Sequence, residues 1–216
     1  MNTSEIADAI AAERLSLADL LETLTPQQLG TPSLCAGWTV HHVAAHLTTL
    51  FNVTMPQMTL RIARHRLSFD KAVNDLTNEL SRRPIEQISA ELRVNASNAK
   101  HPPSAPLAPL ADVIVHGEDI RRPLGVRRDV PFASTSAAMS FVTGGRARGF
   151  LPGSRIRGLR FQATDGDGVW GTGQLIHGPA LSLLLAAMGR RVALGDLGGA
   201  VGLLDERLTR KVPRIQ

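Results

Sequence analysis

Apolar residues recur every three or four positions from the start of this chain: Ile6, Ile10, Leu17, Leu20, Leu21 and Leu24. That interval matches the roughly 3.6-residue turn of an α-helix and argues against a half-buried strand, which would alternate. The period returns in Val40, Val43, Leu47, Leu50 and Phe51, and again over residues 69–80, 84–92, 110–122 and 133–143. The first two-thirds of the chain must therefore bury helix stripes against other helices. Thr3 or Ser4 can cap a helix over 4–23. Pro26, Gly30, Pro32 and Gly37 make 25–38 a loop. Thr39 can cap a long helix over 39–66, which Pro56 should kink or interrupt. Residues 95–109, with Pro102 and Pro103, read as a connector, and Pro123 and Gly125 stop the 110–122 helix.

The pattern changes between Gly144 and Gly158. Residues 159–164 and 169–174 are short extended runs around Asp165-Gly166-Asp167-Gly168, and Asp-Gly is a strong hairpin-turn signal. An apolar helix over 178–188, stopped by Gly189, and another within 196–207, after the Gly198-Gly199 break, complete the tail. The expected class is α+β, with a helical bundle over 1–149 and a small C-terminal α+β module over 150–216.

Composition removes several classes of function. Cys35 is the single cysteine, so neither an internal disulfide nor a cysteine-based zinc cluster can form. It reads first as a small, semi-buried hydrophobe and second as a nucleophile. The net charge of +5 raises the prior for anionic partners, but the arginines are scattered in pairs and tyrosine is absent. A base-stacking surface is hard to build from so few rings, so no nucleic acid is expected. No apolar run is long enough to span a membrane, and residues 1–12 carry Glu5 and Asp8 rather than a basic leader, so a cytoplasmic protein is expected. Gly171-Thr172-Gly173 lacks the third glycine of a dinucleotide fingerprint. The Asp165–Gly168 turn lacks the ligand spacing of a calcium loop, and no Gly-x-Ser-x-Gly elbow occurs.

Two pairs of potential metal ligands stand four residues apart on expected helices: His42/His46 and Asp112/His116. Residues at that spacing share a helix face, and zinc accepts imidazole nitrogen and carboxylate oxygen. Each pair could supply a third ligand to the other. The spacing is equally compatible with semi-buried histidines held by carboxylate or backbone partners, and with Asp112 acting as a cap in the first turn of its helix.

The words around these residues narrow the choice. Ser33-Leu34-Cys35-Ala36-Gly37-Trp38-Thr39-Val40 followed by Val43-Ala44-Ala45-His46-Leu47 resembles the entry to the second bundle helix of the mycothiol-dependent maleylpyruvate isomerase family. Asp112 to His116, then Asp119-Ile120-Arg121-Arg122-Pro123-Leu124-Gly125, resembles its last bundle helix. The stretches 164–173, Gly178-Pro179-Ala180 and Gly189-Arg190-Arg191 resemble its C-terminal module. The resemblance covers nearly the whole chain and implies a DinB/YfiT-like four-helix bundle followed by the small α+β module.

It also implies a divalent metal, zinc, held by His46, Asp112 and His116. Asp112 departs from the glutamate of the isomerase type, which bears on activity more than on metal binding. His42 becomes a residue behind the ligands or on the surface, and His41, His65, His101 and His177 match no ligand position. Mycothiol is the implied thiol cosubstrate, because a metal lowers a thiol's pKa and yields a thiolate near neutral pH. In the isomerase type the thiolate adds to the double bond of maleylpyruvate; rotation about the new single bond and expulsion of the thiol give fumarylpyruvate. In a transferase the thiol stays on the electrophile. Arginine suits the carboxylates of such substrates, and Arg190 is the candidate catalytic residue, with Arg121 behind it. Trp38 packs in the core or closes the site, and Asp119 orients a ligand or pairs with an arginine. A metalloprotein that uses no mycothiol, and a non-enzymatic regulator that keeps the bundle, are the alternatives.

Overall fold

The computed structural model describes residues 1–98, 100, 101, 105–145, 147 and 153–209. Helix α1 spans Thr3–Thr23, and its cap is Asn2, one residue ahead of the expected Thr3 or Ser4. Asn2 Oδ1 accepts from Glu5 N–H while Glu5 Oε2 accepts from Asn2 N–H, closing a capping box. Its inward stripe is Ile10, Glu13, Arg14, Leu17, Ala18 and Leu21. A four-residue helix, α2 (Pro26–Leu29), stands inside the expected loop. Thr25 caps it, and Pro26 sits where a missing N–H costs nothing.

The single helix expected over 39–66 is two. Helix α3 is Val40–His46 and helix α4 is Met55–Arg64. Beyond His46 the hydroxyls of Thr48 and Thr49 bond back to the carbonyls of Ala45 and His46, and the chain continues in turns. Thr54 then opens a capping box with Gln57. Pro56 therefore lies in the first turn of a new helix instead of breaking an old one. Helices α5 (Phe69–Leu80), α6 (Ile85–Val94), α7 (Ala108–Arg121) and α8 (Phe132–Thr143) follow the periodic stretches. After α9 (Gly153–Ile156) come β1 (Leu159–Ala163), β2 (Val169–Gly171), β3 (Gln174–Gly178), α10 (Ala180–Ala187), a 3-10 turn over Arg191–Asp196, β4 (Gly198–Gly199) and α11 (Val201–Thr209).

The described chain forms two compact units, and the division falls inside α7. One comprises 2–100 and 112–128. There α1 packs on α6 and α3 packs on α5 and α6. Leu17, Leu21, Val40, Val43, Ala44, Leu76, Ile88, Leu92, Val113 and Ile120 share one core.

The other unit comprises residue 1, 101–111 and 129–216. Its sheet runs β2-β1-β3-β4. The Asp-Gly turn joins β1 to β2 as an antiparallel hairpin, as expected. The extended run read over 169–174 is not one strand, because the chain leaves β2 at Gly171 and passes under the start of β1. It returns as β3, parallel to β1. Gly173 permits this crossing: its φ is +119°, and any Cβ there would run into the Gly158 carbonyl. Helix α10 covers β1 and β3, with α8 packed beside it. Pro179 precedes it, and Asp165 Oδ1 accepts from Ala180 N–H. No helix among the described residues is long and apolar enough to cross a membrane.

Candidate metal centre

His46 is the last residue of α3, and the turn ahead of that helix fixes its position. Ser33 Oγ donates to the Trp38 carbonyl at 2.8 Å and accepts from Cys35 N–H at 3.1 Å. Thr31 and Trp38 hold the two ends of the turn through Val40 N–H to Thr31 O and Ser33 N–H to Trp38 O. Leu34 N–H donates to the Asp119 carbonyl at 3.3 Å, pinning the turn to α7. Trp38 thereby lands 5.0 Å from the His46 ring, centroid to centroid, and its Nε1 donates to Asn74 Oδ1 at 2.8 Å.

On α7 the four-residue spacing places Asp112 and His116 on one face, and that face meets His46. His116 Nε2 is 3.4 Å from Asp112 Oδ1, and His46 Nε2 is 3.9 Å from the same oxygen. The imidazoles meet edge to face, with centroids 4.8 Å apart. All three ligand atoms lie within 4.8 Å of one another. Both rings are held from behind. His116 Nδ1 is 2.8 Å from Asp119 Oδ2, and His46 Nδ1 is 3.4 Å from Thr77 Oγ1. An imidazole whose Nδ1 is engaged presents Nε2 to a metal, so the two Nε2 atoms and the Asp112 carboxylate converge. Asp112 is the open wall, with its side chain 42% exposed against 14% for His116 and 15% for His46.

The residues fit a zinc ion. Zinc bonds of ~2.0–2.1 Å at tetrahedral angles set neighbouring donors about 3.3–3.4 Å apart. The His116–Asp112 pair meets that spacing, and the His46–Asp112 pair exceeds it by about half an ångström, within reach of a small turn of the exposed aspartate. Electrostatics point the same way. Burial disfavours a charged His116, but the carboxylates of Asp112 and Asp119 outweigh it and push its pKa up to about 10. Without metal the ring therefore carries a proton near neutral pH, in a place where the surrounding carboxylates call for a positive charge.

The remaining expected residues fall as follows. His42 sits in the first turn of α3, its Nδ1 2.8 Å from Thr39 Oγ1, and burial followed by the neighbouring His41 lowers its pKa. It is not part of the convergent group. Arg121 is 2% exposed and donates from Nη2 to Ser16 Oγ, a packing position. Arg190 precedes the 3-10 turn in the sheet-bearing unit, where its Nη1 donates to the Met188 carbonyl at 2.8 Å. Asp119 is wholly buried and engages His116 Nδ1, as an orienting residue does.

Cys35 holds more than the semi-buried packing position expected of it. Its thiol donates to Asp119 Oδ2 at 3.1 Å and lies 3.6 Å from His116 Nδ1. Thr77 had no sequence signal, since it arrives from α5, 31 residues beyond His46.

Comparison with known proteins bears on the helical part and on the fold. Residues 10–93 match the family described as the mycothiol maleylpyruvate isomerase N-terminal domain. The fold is similar to the crystal structure of the mycothiol-dependent maleylpyruvate isomerase, with a TM-score of 0.61 at 14% identity over 94% of each chain. A histidine-to-alanine mutant of that isomerase matches with the same values. Among curated proteins there is no match. Residues 10–93 therefore carry the signature of the mycothiol maleylpyruvate isomerase N-terminal domain, and the chain shares the fold of the isomerase.

Proposed function

We propose that this protein is a zinc enzyme that uses a low-molecular-weight thiol, mycothiol, to isomerise a small electrophile such as maleylpyruvate or to transfer the thiol to it. The observation that carries the reading is the convergence of His46 Nε2, His116 Nε2 and Asp112 Oδ1, with Thr77 and Asp119 behind the two rings. Three protein donors leave one position open, the arrangement of catalytic rather than structural zinc. Zinc bound there would lower the pKa of an incoming thiol and hold it as a thiolate.

The chain's own residues supply the rest. Asp119 fixes the His116 tautomer and raises the basicity of its Nε2. Asp112 closes the ligand set from the solvent side. Trp38 lies against the His46 ring and shields it from water. Arg190 is the candidate to hold a substrate carboxylate through its planar fork. The family match supports mycothiol as the thiol. The helical-bundle arrangement of the family is the frame we assign to α1, α3, α5, α6 and α7.

Cobalt substitution tests this directly. The cobalt-loaded protein should show ligand-field bands of a four-coordinate site, and mycothiol should add a thiolate-to-cobalt charge-transfer band. Ligand-field bands that mycothiol leaves unchanged would sink the thiol reading and leave a metalloprotein of other function.

A further inference from the structure

The carboxylate behind His116 is shared. Asp119 is wholly buried, and its Oδ2 meets both His116 Nδ1 at 2.8 Å and the Cys35 thiol at 3.1 Å. The thiol also lies 3.6 Å from His116 Nδ1. Cys35, His116 and Asp119 thus converge as a second group that has the His116 ring in common with the ligand set. This second group holds hydrogens rather than a metal. Nitrogen, oxygen and sulfur donors around a tetrahedral zinc stand about 3.3–3.6 Å apart, and the contacts to Asp119 Oδ2 are shorter than that. Nor does the thiol serve the first site as a ligand, because it stands at Nδ1, the ring nitrogen turned away from the Nε2 that faces Asp112.

What the thiol does follows from the freedom of the carboxylate. The last torsion of an aspartate is broad, so a single contact to a histidine leaves the group free to turn. A second donor on the same oxygen defines that rotation. Cys35 is itself fixed: its N–H donates to Ser33 Oγ at 3.1 Å, and the neighbouring Leu34 N–H donates to the Asp119 carbonyl at 3.3 Å. Leu34 and Cys35 therefore grip Asp119 by its backbone and by its side chain. The same turn carries Trp38 against His46 and leads into α3. Cys35 also packs against the helical core, but packing needs no donor and does not account for a thiol aimed at a buried carboxylate.

We infer that Cys35 is a positioning residue of the metal centre: its S–H fixes the Asp119 carboxylate on His116 Nδ1 and so holds His116 Nε2 towards the metal. The inference rests on the metal-site reading above and gives the thiol a task outside the reaction. With Nε2 on a metal, Nδ1 carries the ring hydrogen and donates to Asp119, so the contacts run from thiol to carboxylate to imidazole to metal.

The test has an optical and a binding readout, both on the full chain. Cys35 is the single cysteine, so the infrared S–H stretching band belongs to it alone. We expect that band at lower frequency than in the unfolded chain, shifted part of the way back in Asp119→Asn, and shifted again when zinc is loaded. Zinc affinity by chelator competition should fall roughly threefold to tenfold in Cys35→Ala, less than for loss of a direct partner, and stay within about twofold in Cys35→Ser, which keeps a donor. If Cys35 only filled space, serine would do no better than alanine.

A folded-state band at the unfolded frequency, equal zinc affinity in wild type and Cys35→Ala, or no rescue by serine would each overturn the inference. If Cys35→Ala does not fold, the response of the wild-type band to zinc decides. Zinc bound with a stationary band and undiminished affinity in Cys35→Ala refutes the role of Cys35 and keeps the metal centre. A wild type that binds no zinc sinks the metal reading and the inference with it.

Discussion

Asp119→Asn tests the network behind His116. Asp119 is fully buried, and its Oδ2 engages both the Cys35 thiol and His116 Nδ1, the latter at 2.8 Å. Asparagine keeps the volume and one oxygen but loses the charge. Two effects then oppose each other. A less basic His116 is a weaker ligand, and outer partners of this kind typically contribute tenfold to a hundredfold in metal affinity, about 1.4–2.7 kcal/mol. A less basic His116 also holds its proton less tightly. In the wild type that proton, bound with a pKa of about 10, competes with the metal throughout the neutral range. The loss at neutral pH is therefore partly masked, and the deficit should widen as pH rises towards 10. Zinc affinity by competition with a chelator, for both proteins across that range, reads it. A deficit under about twofold at about pH 9, or one that narrows with rising pH, would refute the reasoning.

Other perturbations report on the fold. Metal-free protein should lose stability as pH rises. The folded pKa of His116 is raised from 6.5 to about 10, so its contribution is complete below 6.5 and drains away towards 10. Urea unfolding at about pH 6 and about pH 10 should show the fall, and His116→Gln should flatten it; a wild-type rise would contradict the assignment. Leu17→Ala, at a fully buried position in the helical core, should cost about 2–5 kcal/mol in denaturant unfolding. Gly171→Ala should cost at least about 1 kcal/mol, since φ there is +74° and a Cβ would strike the Leu159 carbonyl. An unchanged midpoint would mean that the β2–β3 crossing is built differently.

What the sequence made legible follows from the range of each signal. His46, Asp112 and His116 could be read because four-residue spacing is a helix rule and because the words around them are family words. The pairing of α3 with α7 could come only from the family, since no local rule joins residue 46 to residue 112. Thr77 and the Cys35–Asp119 contact lie in tertiary space: Cys35 and Asp119 are 84 residues apart and meet through the turn that Leu34 pins to α7. The false long helix over 39–66 arose because apolar period continues through Leu47, Leu50 and Phe51. The restart at Thr54 is written in a capping box that the period hides. Strand β3 escapes the sequence because the period-2 reading carries one extended run through Gly171 and Gly173, whereas a parallel return beside β1 depends on the whole sheet. Arg14 carries no local signal, because its burial exists only once the loop at 95–98 closes over it.

The metal is the central claim, and elemental analysis tests it most directly. Wild-type protein, purified and exchanged into chelator-treated buffer, should carry about one zinc per chain, and His46→Ala and His116→Ala should each lose it while retaining their helical signal. A wild type that holds no metal after zinc is added, or variants that keep as much as the wild type, would contradict the account.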